Sequence, residues 1–178
     1  ASCLVGSEMC IRDRVTSTPD LNPIKAFVFC GQGPQHEHMG VHMYTRFAAF
    51  RNSVNASFEM VAKFHKKNFQ DEYGLFNPEL NGKVAKTDKG DWKVECIVIA
   101  ITIFQIALFD LWVDLGVQPD VVLGHSVGEI AAMYASGALT HEKAIRTAIA
   151  RSNALSLLDT IDGPVSYTHL TLPTSDLV

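Results

Sequence analysis

The sequence predicts an α/β fold, a short parallel sheet with flanking helices. Three observations carry the prediction. Two short apolar runs, Lys25–Cys30 and Val121–Leu123, end at glycine and read as buried strands. Cys96–Val113 is apolar on every face, as a helix in the middle of a core is. Residues 120–136 pass from the second strand through Gly124-His125-Ser126-Val127-Gly128 into a run of small, helix-favouring residues. That stretch is a strand–turn–helix unit with Gly-x-Ser-x-Gly spacing, the pattern of a nucleophile elbow.

Length and composition narrow the function classes. A chain of 178 residues is one domain or part of one and can bury a core. With 47% hydrophobic and 19% charged residues it has the balance of a soluble globular protein. A net charge of −4 argues against a general nucleic-acid binder, and no basic run suggests a membrane surface. Cys3, Cys10, Cys30 and Cys96 have neither metal-ligand spacing nor a disulfide pattern, so a reducing, cytoplasmic setting is expected. Residues 1–14 lack periodicity and are too polar for a secretory signal, and residues 165–178 follow Asp162-Gly163-Pro164 abruptly. Both ends resemble translated sequencing-adaptor read-through. They are expected to be non-native, leaving residues 15–164 for the fold.

Along the chain, Gly31-Gln32-Gly33-Pro34-Gln35 follows the first strand. Two glycines around a glutamine make either a plain turn or a loop that brings backbone N–H groups close to a ligand. Gly40 comes too late for a dinucleotide-binding loop. Phe50, Val54, Phe58, Val61 and Phe64 recur at helical spacing opposite Arg51, Asn55, Glu59 and Lys63, which predicts an amphipathic helix on the core. Residues 68–91 are polar and rich in turn formers and read as a loop. The run Cys96–Val113 approaches the length of a membrane span. Thr102, Gln105 and Asp110 interrupt it, however, so it reads as a core helix beside the sheet, ended by Gly116.

The elbow explains its own spacing. A serine on so tight a turn is held in a strained conformation, and glycines two before and two after let neighbouring elements approach. The turn exposes the Ser126 hydroxyl and aims the first N–H groups of the helix at the same point, where they can stabilise an oxyanion. The plainer alternative is a turn whose serine caps the next helix. Gly128, Ala131, Ala132 and Ala135 keep that helix thin, and Thr140 reads as the N-cap of another. On the latter, Ala144, Ala148, Arg151 and Leu155 share a face. A charge on an apolar face has to be paired. Arg151 is therefore expected to meet a protein carboxylate or an anionic ligand, while Arg146 falls on a solvated face.

Together, the Gly31-Gln32-Gly33 loop, the Gly124-His125-Ser126-Val127-Gly128-Glu129 elbow and Arg151 resemble the malonyl-CoA:acyl carrier protein acyltransferase family. The likeness is strongest to acyltransferase domains of fungal-type iterative type I polyketide synthases. Gln105-Ile106-Ala107-Leu108-Phe109-Asp110-Leu111 and Tyr134-Ala135-Ser136-Gly137-Ala138 add to it, and it covers about residues 24–158. The resemblance implies the α/β-hydrolase-like large subdomain of that fold. It implies Ser126 as nucleophile, the amides of Gln32 and Val127 as oxyanion hole, and Arg151 as the grip on a malonyl carboxylate. Gly31, Gly33, Gly124, His125 and Gly128 would support the elbow. The implied substrates are malonyl-CoA and the phosphopantetheine thiol of an acyl carrier protein, with neighbouring synthase domains as partners and no tightly bound cofactor or metal.

Departures from the family pattern matter equally. The family's general-base histidine and its ferredoxin-like small subdomain lie downstream of anything this sequence matches. His125 is the elbow neighbour, His141 begins a helix, and His169 falls in the suspected read-through. A serine needs a base, so this polypeptide alone is expected to be inactive, and its missing strands are expected to make it poorly soluble. Val98-Ile99 stands where many members carry Gln-Pro, and His36 and His38 follow the glycine loop with no assignable role. Two other readings are a serine hydrolase of the lipase or patatin kind, with water as acceptor, and a non-catalytic docking module.

Overall fold

A helix with apolar residues on every side has to be surrounded, and Val94–Asp114 is. The computed structural model describes residues 23–65, 73–76 and 92–159. In chain order they form β1 (Ala26–Phe29), α1 (Val41–Arg46), α2 (Ala48–His65), α3 (Val94–Asp114), β2 (Val121–Gly124), α4 (Gly128–Ala135) and α5 (His141–Asp159). Helix α3 is the trunk. Helices α2, α4 and α5 all pack on it, burying Cys96, Val98, Ile99, Ile101, Ile103, Ile106 and Leu111. It is the sole described helix long and apolar enough to cross a membrane, and 67% of its most apolar stretch is buried inside the fold.

The stripe on α2 lies where its spacing puts it, with Phe50, Val54, Phe58 and Val61 buried and Glu59 and Lys63 exposed. Two features depart from expectation. Helix α1 is too short to show a period, and within the stretch read as a polar loop Tyr73, Leu75 and Phe76 are buried. The Phe76 ring is stacked against Phe104 at 6.4 Å and meets Phe50 and Phe58 at 6.3 and 6.0 Å. An apolar island of four residues carries no periodicity, so its burial was hidden among polar neighbours. The remainder of 68–91 and both suspected read-through ends lie outside the described residues.

The sheet is parallel, in the register Ala26↔Val121 to Phe29↔Gly124. Side chains alternate across it. Phe27 and Phe29 turn to α3, with ring centroids 6.3 and 6.4 Å from Phe109. Helix α4 packs against both strands. The other face is open, with Val28 70%, Leu123 55% and Val121 45% exposed. This corrects the expectation of buried strands. An apolar run shows that both faces suit burial, but among the described residues only one face has a cover.

Candidate active site

The elbow is built from the end of β2. The His125 amide donates to the Phe29 carbonyl at 2.9 Å, one step past the last paired residues. The chain then reverses. Ser126 has φ 52°, a left-handed conformation that costs a residue with a Cβ about 1–2 kcal/mol. The surroundings hold it there. Gly128 N donates to His125 O at 2.9 Å and Glu129 N to Ser126 O at 3.1 Å, so α4 begins within the turn. A Cβ on Gly124 would lie 2.5 Å from Glu129 Cα, and one on Gly128 would lie 2.2 Å from the Phe29 carbonyl oxygen. Only hydrogen at both positions lets α4 sit this close to the strands.

The glycine loop meets the elbow from the other side. A Cβ on Gly31 would stand 2.9 Å from His125 Nδ1 and 3.1 Å from Ser126 Cβ, so Gly31 is buried against the serine. Gln32 is exposed, and Gly33, at φ 127°, donates its amide to Gln35 Oε1 at 2.7 Å. Val127 is buried at the start of α4. Among the described residues, the amides of Gln32 and Val127 donate to no protein acceptor. Ser126 and two backbone donors free among the described residues are therefore brought to the junction of two strand ends.

Helix α5 brings a cation to the same junction. Arg151 Nη2 donates to Ser126 Oγ at 3.3 Å and Nη1 to Ser126 O at 3.4 Å. Among the described residues it pairs with no carboxylate. The expectation of a buried arginine needs correcting: Arg151 is half-buried, at the border of the apolar face, where its guanidinium reaches the serine and keeps contact with solvent. Arg146 is solvated, 3.9 Å from Glu142 with its guanidinium over the Phe64 ring. Thr140 Oγ1 accepts the Lys143 amide at 3.3 Å, as an N-cap does.

His36 and His38 are exposed, and the His125 ring stands beside Gly31. His141 Nε2 is 2.7 Å from Ser57 Oγ, and its ring is 5.4 Å from that of Tyr134, whose hydroxyl donates to Asp110 Oδ1 at 2.8 Å. Burial pushes the His141 pKa down, opposed by the Asp110 charge, and burial raises that of Tyr134. Among the described residues no histidine is hydrogen-bonded to Ser126, and no three His, Cys, Asp or Glu side chains gather as metal ligands would. One neighbour of the site went unassigned in the sequence. Gln105, on α3, donates to the Cys30 carbonyl at 2.8 Å, and its signal was a polar side chain in an otherwise apolar helix.

Comparison with known proteins decides the family. Residues 26–163 match the family described as "Acyl transferase domain". The chain belongs to that acyl transferase family. Highly reducing polyketide synthase stpks1 of Strobilurus tenacellus is 37% identical over 141 residues, which are 79% of this chain and 5% of that protein. The acyltransferase domain of the polyketide synthase PpsC of Mycobacterium tuberculosis superposes with a TM-score of 0.62 at 29% identity, over 75% of this chain and 37% of that one. The malonyl-CoA: ACP transacylase of Synechocystis shares the fold, with a TM-score of 0.60 at 24% identity over 76% of this chain and 41% of that one. The acyl transferase sequence here thus spans about a twentieth of that synthase and about two fifths of the two solved chains. The parallel strands, the elbow and the helices around them form part of the acyltransferase fold.

Proposed function

We propose that the chain is the nucleophile-bearing part of an acyltransferase that moves a malonyl-type group from CoA to an acyl carrier protein in polyketide or fatty acid synthesis. Ser126 Oγ attacks the thioester carbonyl, and the oxygen that becomes negative is met by the amides of Gln32 and Val127. The CoA thiol leaves. The phosphopantetheine thiol of the carrier then attacks the serine ester, freeing Ser126. The proton on Oγ passes to a histidine outside the described residues, so the described portion alone is inactive. On this reading no tightly held cofactor takes part, and the reaction is a cytoplasmic one with CoA thioesters and neighbouring synthase domains as partners.

The observation that carries this reading is the guanidinium of Arg151, 3.3 Å from Ser126 Oγ with no described carboxylate to neutralise it. A fork of donors beside the nucleophile suits an acyl group that ends in a carboxylate, which it can hold through two parallel hydrogen bonds. A neutral acetyl group leaves that fork unpaired. The test is loading of the complete domain with malonyl-CoA and with acetyl-CoA, read as acyl-enzyme mass on Ser126. Arg151→Ala should cut malonyl loading about 100-fold, the loss of roughly 2.7 kcal/mol of charge-assisted hydrogen bonding, while acetyl loading changes little. If instead both acyl groups are handed to water, with Arg151→Ala unchanged, the protein is a serine hydrolase. If neither labels Ser126, it is a docking module.

A further inference from the structure

The sheet ends where the chemistry begins, and one side chain carries its support a residue further. The carbonyl of Phe29 is taken by the His125 amide at 2.9 Å. Cys30 is beyond the register, which stops at Phe29↔Gly124. Its carbonyl is bonded instead by Gln105 Nε2 at 2.8 Å, with Cys30 Sγ 3.5 Å from the same nitrogen. On its other side the Cys30 oxygen would lie 2.7 Å from a Cβ on Gly128. The next residue is Gly31, pressed on Ser126.

Gln105 is 5% exposed on a helix whose other buried residues are, apart from Thr102, apolar. Thr102 satisfies its hydroxyl within its own helix, on Val98 O at 2.8 Å. Gln105 does not. Among the described residues its buried Oε1 has no hydrogen-bond partner, so only its donor half is used there, on Cys30. A buried amide with an unmet acceptor is unfavourable on a core helix. A methionine would fill the same space without that penalty. What the glutamine supplies is the one donor, on the carbonyl that precedes the glycine loop.

From this we propose that Gln105 is a positioning residue. Its side chain clamps the Cys30 carbonyl against α4 and so sets the height of the Gly31–Gly33 backbone over Ser126, and with it the place of the Gln32 amide. The inference rests on the acyltransferase reading for its kinetic consequence but not for its structural one. An oxyanion donor displaced by a fraction of an ångström loses transition-state stabilisation, while binding of CoA and carboxylate is untouched.

The test uses Gln105→Met and Gln105→Glu in the complete domain. In Gln105→Met, malonylation of Ser126 at saturating malonyl-CoA should slow about tenfold, with the half-saturating concentration unchanged. Gln105→Glu should be slow only where its carboxyl is ionised, so its rate relative to wild type should rise as the pH falls. A buried carboxyl facing a carbonyl is favoured in its neutral form, and only that form donates. Amide hydrogen exchange gives a readout independent of activity: residues 31–33 should exchange faster in Gln105→Met, and α3 at the wild-type rate. Unchanged exchange at 31–33 overturns the proposal, as does equal acceleration of exchange in α3 and in the loop. A wild-type domain that never acylates Ser126 would refute the acyltransferase reading alone, and the exchange result would still decide the role of Gln105.

Discussion

Replacing Gly128 by alanine tests the geometry on which the site depends. The added methyl would lie 2.2 Å from the Phe29 carbonyl oxygen, 2.6 Å from its carbon and 2.7 Å from the Cys30 oxygen. Carbon and oxygen normally close to about 3.3 Å, so the overlap at Phe29 is roughly 1 Å. The atoms met are backbone, tied to β2 by the sheet and by the His125 amide, and no rotamer can relieve the contact. Helix α4 has to move outward by most of that distance. Overpacking of this kind costs about 1–3 kcal/mol, and the rigidity of both partners puts Gly128→Ala near the upper end. On the proposed reading, a shift of about 1 Å at Ser126 also costs on the order of 100-fold in rate. Urea unfolding measures the first effect, and the rate of acyl-enzyme formation on Ser126 in the complete domain measures the second. Stability within about 0.5 kcal/mol of wild type together with an unchanged rate would show that α4 does not rest on the end of β1.

Other expectations follow from single residues. Ser126→Gly should be more stable than Ser126→Ala by about 1 kcal/mol, because glycine adopts φ 52° without the Cβ penalty, and both should lose acylation; equal urea midpoints would remove the strain from the elbow. His141 has a pKa lowered by burial, so the unfolded chain binds its proton more readily; the stability it contributes is complete above the ordinary histidine value of 6.5 and is lost as pH falls through the lower folded value. A urea midpoint that declines below about pH 6.5, with a shallower decline in His141→Gln, is the expected result. Thr140→Ala removes the cap on Lys143 N; at 3.3 Å that bond is long, so the loss should be about 0.5–1 kcal/mol in the same titration.

Much of this arrangement is visible in the sequence, and the reason differs by element. The elbow could be read because its glycines stand at a fixed spacing around Ser126, although only Gly124 answers to a neighbour in the chain, Glu129, while Gly128 answers to the end of β1. Arg151 could be read as needing a partner from its helical position, but its partner could not. A guanidinium reaching a serine hydroxyl rather than a carboxylate depends on how α5 crosses α4, a long-range matter. The strands show the converse. Val28 and Leu123 look like core residues by hydrophobicity, yet they are 70% and 55% exposed, because pattern records what a face suits and not whether anything covers it. Gln105 and the Ser57–His141 contact were illegible for a third reason. Their partners lie 75 and 84 residues away, and a polar residue in an apolar run does not say what it is for.

The pairing of β1 with β2 also fixes when the elbow at Ser126 can form. Lys25 and Asp120, hydrogen-bonded at the open end of the sheet, are 95 residues apart in the chain. Closing a loop that long is slow, whereas helices close over a few residues. The residues of α2 and α3 leave the ribosome before those of β2. The strained turn at Ser126 therefore has nothing to brace it until β2 docks on β1. A chain arrested before Gly128 thus carries Ser126 without its elbow.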